Sequence, residues 1–408
     1  MNLKIFKHTN KNNMKKTTKF LNLSAIAMVL FSVVLVSCKK DNGGGITPPV
    51  ITSENLNGPV TGTRNLDAAI TYTITGPVVV QSGATLNIPA GTMIKANKGF
   101  NNYILVLQGG KINVNGTADK PVTMTADIPN AEAGHWGGLI INGKAPLSGG
   151  TTGTTEVSSE HQYGGNIAND NSGSITYLTI AYSGARSSAD VEHNGLTLNG
   201  VGNGTRIENV YILNGADDGV EFFGGTVNVK NLLVVNPDDD MFDFTQGYKG
   251  TLENAYGIWE TGYTSTESDP RGIEADGNLD GKFPEQTVQS DFAVKNVTFD
   301  LRLAPATDGD IQNVTNKMQD VIKIRRGAKA AITNALVKGT GTAIDLIDFT
   351  DGKGTGNAES SVSLTSSLAA AQILGKQINP QTGFPNGKVE PGNTGCTTGV
   401  FAWTKYNF

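Results

Sequence analysis

The chain alternates short apolar runs with Gly- and Asn-rich breaks. Ile70-Thr71-Tyr72-Thr73-Ile74, Leu86-Asn87-Ile88, Ile112-Asn113-Val114 and Val122-Thr123-Met124 each switch between apolar and polar side chains with period two. That period sets one face of a strand against a core and the other outward. Gly83, Gly91, Gly109-Gly110 and Gly116 punctuate the runs, so the pattern predicts many short strands with tight corners.

A second, longer period lies over the first. Asp217-Asp218-Gly219-Val220-Glu221-Phe222-Phe223-Gly224-Gly225 returns 22 residues later as Asp239-Asp240-Met241-Phe242-Asp243-Phe244-Thr245-Gln246-Gly247. An element of the form apolar-x-Asn-apolar-x-apolar precedes each copy, at Asn209 and Asn231, and recurs at Asn254, Asn296 and Asn334. The spacings are 22, 23, 42 and 38 residues, two bare repeats and then two that each carry an insertion. Short strands repeated at this period mark a solenoid, whereas a sandwich or propeller predicts no such register. The expected fold is all-β, a single-stranded right-handed parallel β-helix over residues 66–360. An Asn at each corner would hydrogen-bond to its equivalents above and below. Residues 361–408 are expected to cap the open end, with Ser361 to Leu374 as an α-helix and Val400 to Trp403 as a last strand.

The amino-terminal residues follow another pattern. Six lysines between Lys4 and Lys19 precede an apolar run from Phe20 to Val36, and Leu35-Val36-Ser37-Cys38 closes it. Small residues before a Cys are the mark of a lipoprotein leader, so residues 1–37 are expected to be removed and Cys38 lipidated. Lys39 rather than Asp follows, which favours the outer membrane and a surface-exposed lipoprotein. Gly43-Gly44-Gly45 and Pro48-Pro49 suggest a tether over residues 38–65. The net charge of −5 hides the six leader lysines, and without them 26 basic residues face 37 acidic ones. That balance argues against nucleic acid and for cations or neutral ligands. Cys396 then has no partner for a disulfide, and His135, His161 and His193 lack metal-ligand spacing.

Gly134-His135-Trp136-Gly137-Gly138-Leu139-Ile140-Ile141-Asn142-Gly143-Lys144-Ala145-Pro146, Asn194-Gly195-Leu196-Thr197-Leu198-Asn199-Gly200-Val201-Gly202 and Glu221-Phe222-Phe223-Gly224-Gly225-Thr226-Val227, with Asp239-Asp240, carry a resemblance. They resemble a family of secreted or lipid-anchored β-helix proteins of the Bacteroidota, over roughly residues 70 to 408. The resemblance implies a fold and a cell-envelope location, and brings no catalytic residues with it.

The repeat itself supplies the candidate chemistry. In register, Glu221 and Asp243 fall on one face, and Gly272-Ile273-Glu274-Ala275 adds Glu274 to the same column. Extended further, the column is expected to run through Lys323 and Asp345. Stacked like charges destabilise neighbouring strands, so the acids call for compensation. A Ca²⁺ ion on Asp217, Asp218, Glu221, Asp239, Asp240 and Asp243 is one source; Lys323 with Arg271, Arg325 and Arg326 is the other. Trp259 and Tyr263, beside an insertion, are candidate platforms for a sugar ring. The leading expectation is a non-enzymatic outer-membrane lipoprotein that presents a face for carbohydrate or another extracellular ligand. A Ca²⁺-dependent polysaccharide lyase or hydrolase is the alternative, using Glu221, Asp243, Glu274, Lys323 and Arg271. A third reading is an accessory subunit of an outer-membrane transporter.

Overall fold

The computed structural model describes residues 52–188 and 191–408. The leader, Cys38 and most of the expected tether lie outside the described residues. No helix among the described residues is long and apolar enough to cross a membrane.

The architecture is the expected right-handed parallel β-helix, with 24 strands joined into one parallel sheet system. Strands stack in register down the coil. On one face, Trp136–Asn142, Leu196–Asn199, Val220–Phe223, Phe242–Thr245, Arg271–Ala275, Lys317–Lys323 and Thr342–Asp348 follow one another. The coil begins earlier than the sequence suggested. Ser53–Val60 already pairs with Thr71–Val80, and Thr63–Asn65 with Thr85–Pro89, so residues 53–65 form a first rung rather than tether.

The asparagine corners explain how long strands bend without losing the ladder. Asn209, Asn231, Asn254, Asn296 and Asn334 all adopt left-handed backbone conformations, with φ between 54° and 59°. Asn tolerates that region because its short amide bonds locally. Each amide donates to the carbonyl oxygen of the preceding Asn, at 2.9, 2.9, 2.9 and 2.8 Å from the lower to the upper end. Burial at a corner therefore leaves no amide oxygen in that stack unpaired.

Period-two alternation fills the interior. Val220, Phe222, Phe242, Phe244, Ile273 and Ala275 are fully buried in one continuous core. Phe222 stacks on Phe244 at 4.9 Å and Phe244 on Phe292 at 4.3 Å. Removing one such ring would leave a cavity and cost about 3–5 kcal/mol.

The cap differs from expectation. Ser361–Ser366 is a strand, paired with the rung below, and only Ala370–Gln372 makes a 3₁₀ turn. Ser-Val-Ser-Leu-Thr-Ser alternates with period two, and that alternation outweighs the helix propensity of the alanines beyond it. Val400 to Trp403 lies in the 3₁₀ segment Thr398–Thr404 and forms no strand. This tail runs back along the outside of the coil. Phe401 and Trp403 pack on Tyr211, Leu233, Val235, Tyr256 and Ile258, with Cys396 buried among them.

Candidate functional site

The acidic residues lie on the strand face that begins at Trp136–Asn142. Glu221 pairs with Asp243, and Asp243 with Glu274, as the repeat required. All three side chains leave the core, yet they are not open to water. Asp243 is 8% exposed, and Asp218 and Asp240 are buried with it. The cover comes from a hairpin at residues 153–163 and from the insertions after Trp259 and Ala275.

The lower rungs hold carboxylates packed on carboxylates. Oxygens of Asp218, Glu221 and Asp243 lie within 4.8 Å of one another, as do those of Asp217, Asp218 and Asp239. Asp218 Oδ1 accepts the Asp240 backbone N–H at 2.9 Å, and Glu221 Oε2 accepts from the Asn194 amide at 2.7 Å. Asp243 Oδ1 is buried and accepts no hydrogen bond. Burial first, then neighbouring carboxylates, raises the proton affinity of Asp217, Asp218, Glu221, Asp239, Asp240 and Asp243 well above the carboxylate norm.

The upper rungs are built differently. Arg271 joins Asp269, Glu274 and Asp320, the first at 2.6 Å and the last at 3.4 Å. Arg325 reaches Glu274 at 2.6 Å and Asp276 at 2.8 Å, while Arg326 holds Asp276 at 2.6 Å and Asp351 at 3.1 Å. Lys323 pairs with Asp348 and, at 3.5 Å, with Asp320. Carboxylates Asp320, Asp345 and Asp348 also converge here, with Lys323 beside them. Asp320 is pushed up to about 6, by burial and against the pull of Lys323 and Arg271.

Asp345 does not continue the column. Lys323 faces Asp348, and Asp345 faces Asp320, three positions earlier. The shift places a cation-bearing rung between two acidic ones, where the sequence register had stacked Lys323 on Asp345.

The two aromatic candidates do not form a sugar platform together. Trp259 is 1% exposed and its indole N–H donates to Pro237 O at 3.3 Å, because it ends the strand Thr251–Trp259 facing inward. Tyr263 packs against Trp259 and donates to Pro237 O at 2.7 Å. Its remaining surface lines a 530 Å³ cleft between the insertions at residues 261–264 and 303–316.

A pocket of about 220 Å³ opens beside Glu221 instead, lined by Thr154, Glu156, Tyr163, Asn199, Phe223 and Asp280, among others. The sequence reading missed Glu156, Tyr163 and Asn199 as site residues. The hairpin Gly153–Thr154 with Gln162–Tyr163 stands outside the repeat, and its only sequence signal is a polar stretch between two rungs. It is fixed to the coil by the Asn142 amide, which donates to Thr155 Oγ1 at 2.6 Å, and by Tyr163 Oη, which donates to Gln246 Oε1 at 2.7 Å.

Residues 58–406 match the pectate-lyase like beta helix domain. The chain belongs to that family. Among solved structures, the catalytic domain of a GH87 alpha-1,3-glucanase in complex with tetrasaccharides is similar to this β-helix at 12% identity and a TM-score of 0.33. The likeness covers 80% of this chain and 65% of that one. No curated protein matches. In this pectate-lyase like β-helix the two cations named as candidate lyase bases, Arg271 and Lys323, are buried and held in ion pairs. The acidic neighbours push the Arg271 guanidinium further up despite its burial, so it donates and does not abstract protons.

Proposed function

We propose that this β-helix binds glycans at the bacterial cell surface with a Ca²⁺ ion held on its lower acidic rungs. The observation that carries the cation is Asp243 Oδ1, buried without a donor among the carboxylates of Asp218 and Glu221. No Lys or Arg lies in that triad, although four of them serve the rungs just above. A hard divalent ion with six to eight oxygen ligands suits such a donor set. Asp218, Glu221 and Asp243 would hold it, with Asp240 beside them and water completing the shell. When bound, the ion would neutralise the stacked carboxylates and fix Glu221 at the mouth of the 220 Å³ pocket.

The family and the pocket support a glycan as ligand. The leader sequence supports a lipid anchor at Cys38 and an outer-membrane address, which Cys38→Ser would test by loss of lipid labelling. For the glycan, the full chain would be titrated with soluble polysaccharides in Ca²⁺ and in chelator. Binding in Ca²⁺ that falls at least tenfold in chelator is expected. Equal binding in both would separate the glycan from the ion and overturn the proposal.

One observation favours a second reading, glycoside hydrolysis. Glu221, with its raised proton affinity, shares the pocket wall with Glu156, and two facing carboxyl groups are what acid-base cleavage needs. Release of reducing ends that disappears in Glu221→Gln would establish it. The lyase form is weaker here, because Arg271 and Lys323 are already engaged.

A further inference from the structure

Two insertions leave the coil near one another and enclose the 530 Å³ cleft, residues 261–264 as one wall and 303–316 as the other. The second wall is polar and largely exposed, yet it is firmly held. Lys317 is 0% exposed, and its ammonium donates to Asp308, to Asp310 O at 2.8 Å and to Asn313 O at 2.8 Å. An ammonium is costly to bury unless its three donors are met, and this loop meets all three. The Ala306 N–H donates to Thr342 Oγ1 on the coil at 2.9 Å. Thr264 Oγ1 donates to Asn316 Oδ1 at 2.9 Å, which ties one wall to the other. The cleft is therefore set in shape before any ligand arrives, as a binding wall requires and a mere connection does not.

Its lining is neutral. Asp308 is the one carboxylate among the described lining residues, and Lys317 balances its charge. Tyr263, Leu303 and Pro305 supply apolar surface. Asn313 and Asn316 stand beside it with their amide oxygens occupied. Asn313 Oδ1 accepts the Thr315 N–H at 3.0 Å, as Asn316 Oδ1 accepts the Thr264 hydroxyl. Those bonds orient both amides and leave each Nδ2 as a donor. The hydroxyls of Thr307 and Thr315 add groups that both donate and accept. Apolar surface beside amides and hydroxyls complements a sugar, whose C–H face packs on an aromatic ring while its hydroxyls meet the polar groups. The volume lies within the roughly 300–1,000 Å³ range of small-ligand sites.

We propose that this cleft is a second glycan site, one that takes an uncharged stretch of sugar chain and works without Ca²⁺. It rests on the reading above for the class of ligand alone, since no carboxylate of the lower acidic rungs lines it. A uronate or a protonated amino sugar would give up hydration here for no counter-charge. An open cleft with few hydrogen bonds binds weakly, at millimolar concentration, so its share of whole-polysaccharide binding stays below that of the Ca²⁺ site.

The test titrates the full chain in excess chelator, followed by saturation-transfer NMR, with tetramers of glucose, mannose, xylose, galacturonate and glucosamine. At least one neutral tetramer is expected to bind at millimolar concentration, at least fivefold more tightly than either charged one. Asn313→Asp and Asn316→Asp keep the acceptors for Thr315 and Thr264 but replace each donor by a charge. Each should weaken the neutral tetramer at least fivefold with an unchanged melting curve. Ala304→Glu, exposed on the cleft wall, should do the same and serves if an Asn variant fails to fold. No neutral tetramer bound in chelator, or binding untouched by Ala304→Glu, overturns the cleft as a site and leaves the Ca²⁺-dependent reading in place. Charged tetramers that bind as tightly overturn the selection for neutral sugar. Tetramer binding retained in chelator, beside polysaccharide binding that ignores Ca²⁺, removes the earlier reading and leaves this one.

Discussion

The lower and upper rungs of the acidic face share a fold, a register and a burial, and they differ in how negative charge is balanced. Below, Asp218, Glu221 and Asp243 crowd together with no basic side chain among them. Above, Arg271, Lys323, Arg325 and Arg326 are threaded between Glu274, Asp276, Asp320 and Asp348. The difference teaches that the coil tolerates buried carboxylates by two routes. The upper rungs carry their cations in the chain, so they are complete on folding. The lower rungs keep their acids protonated or take a cation from outside, which makes them responsive to solution.

The comparison breaks most visibly at Arg271. Arg271→Met leaves the buried Asp320 and the half-buried Glu274 beside one less cation, and a loss of about 3–5 kcal/mol in a denaturant titration is expected. A loss below 1 kcal/mol would show that water already reaches the upper rungs. Next comes the lower triad. Ca²⁺ at a hundredfold excess over its Kd should stabilise the protein by about 2.7 kcal/mol, read as a rise in Tm, and Asp243→Asn should abolish the rise. A rise that survives in Asp243→Asn would place the ion elsewhere.

The pH response of the metal-free protein should follow the lower rungs. Their carboxyls have folded-state proton affinities above the unfolded ones, so their contribution is fully present below the ordinary carboxylate range. It is lost as pH rises through the raised values. Stability in chelator should therefore fall from pH 5 to pH 8, and Ca²⁺ should flatten the curve. Asp269 and Asp351 are held below the usual range: Arg271 outweighs burial at Asp269, and the Lys353 backbone N–H together with Arg326 does so at Asp351. Their contribution is lost in the opposite direction, as pH drops below 4. A denaturation midpoint that rises between pH 5 and pH 8 in chelator would contradict the assignment.

The smallest effect is expected on another column, where Glu208, Lys230, Glu253 and Lys295 alternate in sign down the coil. Lys230 and Glu253 stand 3.5 Å apart but nearly half exposed, so Lys230→Ala should change stability by no more than about 0.5 kcal/mol. A larger change would mean that alternation matters irrespective of burial.

The sequence made the coil legible because its repeat carries two independent signals, the Asn corner and the Asp-Asp doublet, at the same 22-residue spacing. Glu274 was recovered across an insertion, since Ile273 and Ala275 keep the inward pattern. The sequence does not place Asp345, because Ala343, Ile344, Leu346 and Ile347 are all apolar and this run, without strict alternation, does not fix the register. Trp259 reads as a sugar platform from the insertion that follows it, but strand parity turns it inward. Asn199 was readable only as a turn residue. Its unpaired oxygen depends on Asn142 below and Phe223 above, and these meet only once the chain has coiled.

The asparagine stack also fixes how many rungs this coil has. Asn334 tops it, and its Oδ1 accepts from the backbone N–H of Thr394 and Gly395, while its amide donates to Gly395 O. From that clasp the tail descends past Thr298 to Tyr211 and finally to Tyr177, against which Trp403 packs edge-on. One added repeat between Asn209 and Asn334 would lengthen this path by about 4.8 Å. The tail would then have to release either its clasp or its aromatic footing, so gain or loss of a repeat, the usual evolutionary currency of solenoids, is closed to this stretch of the chain.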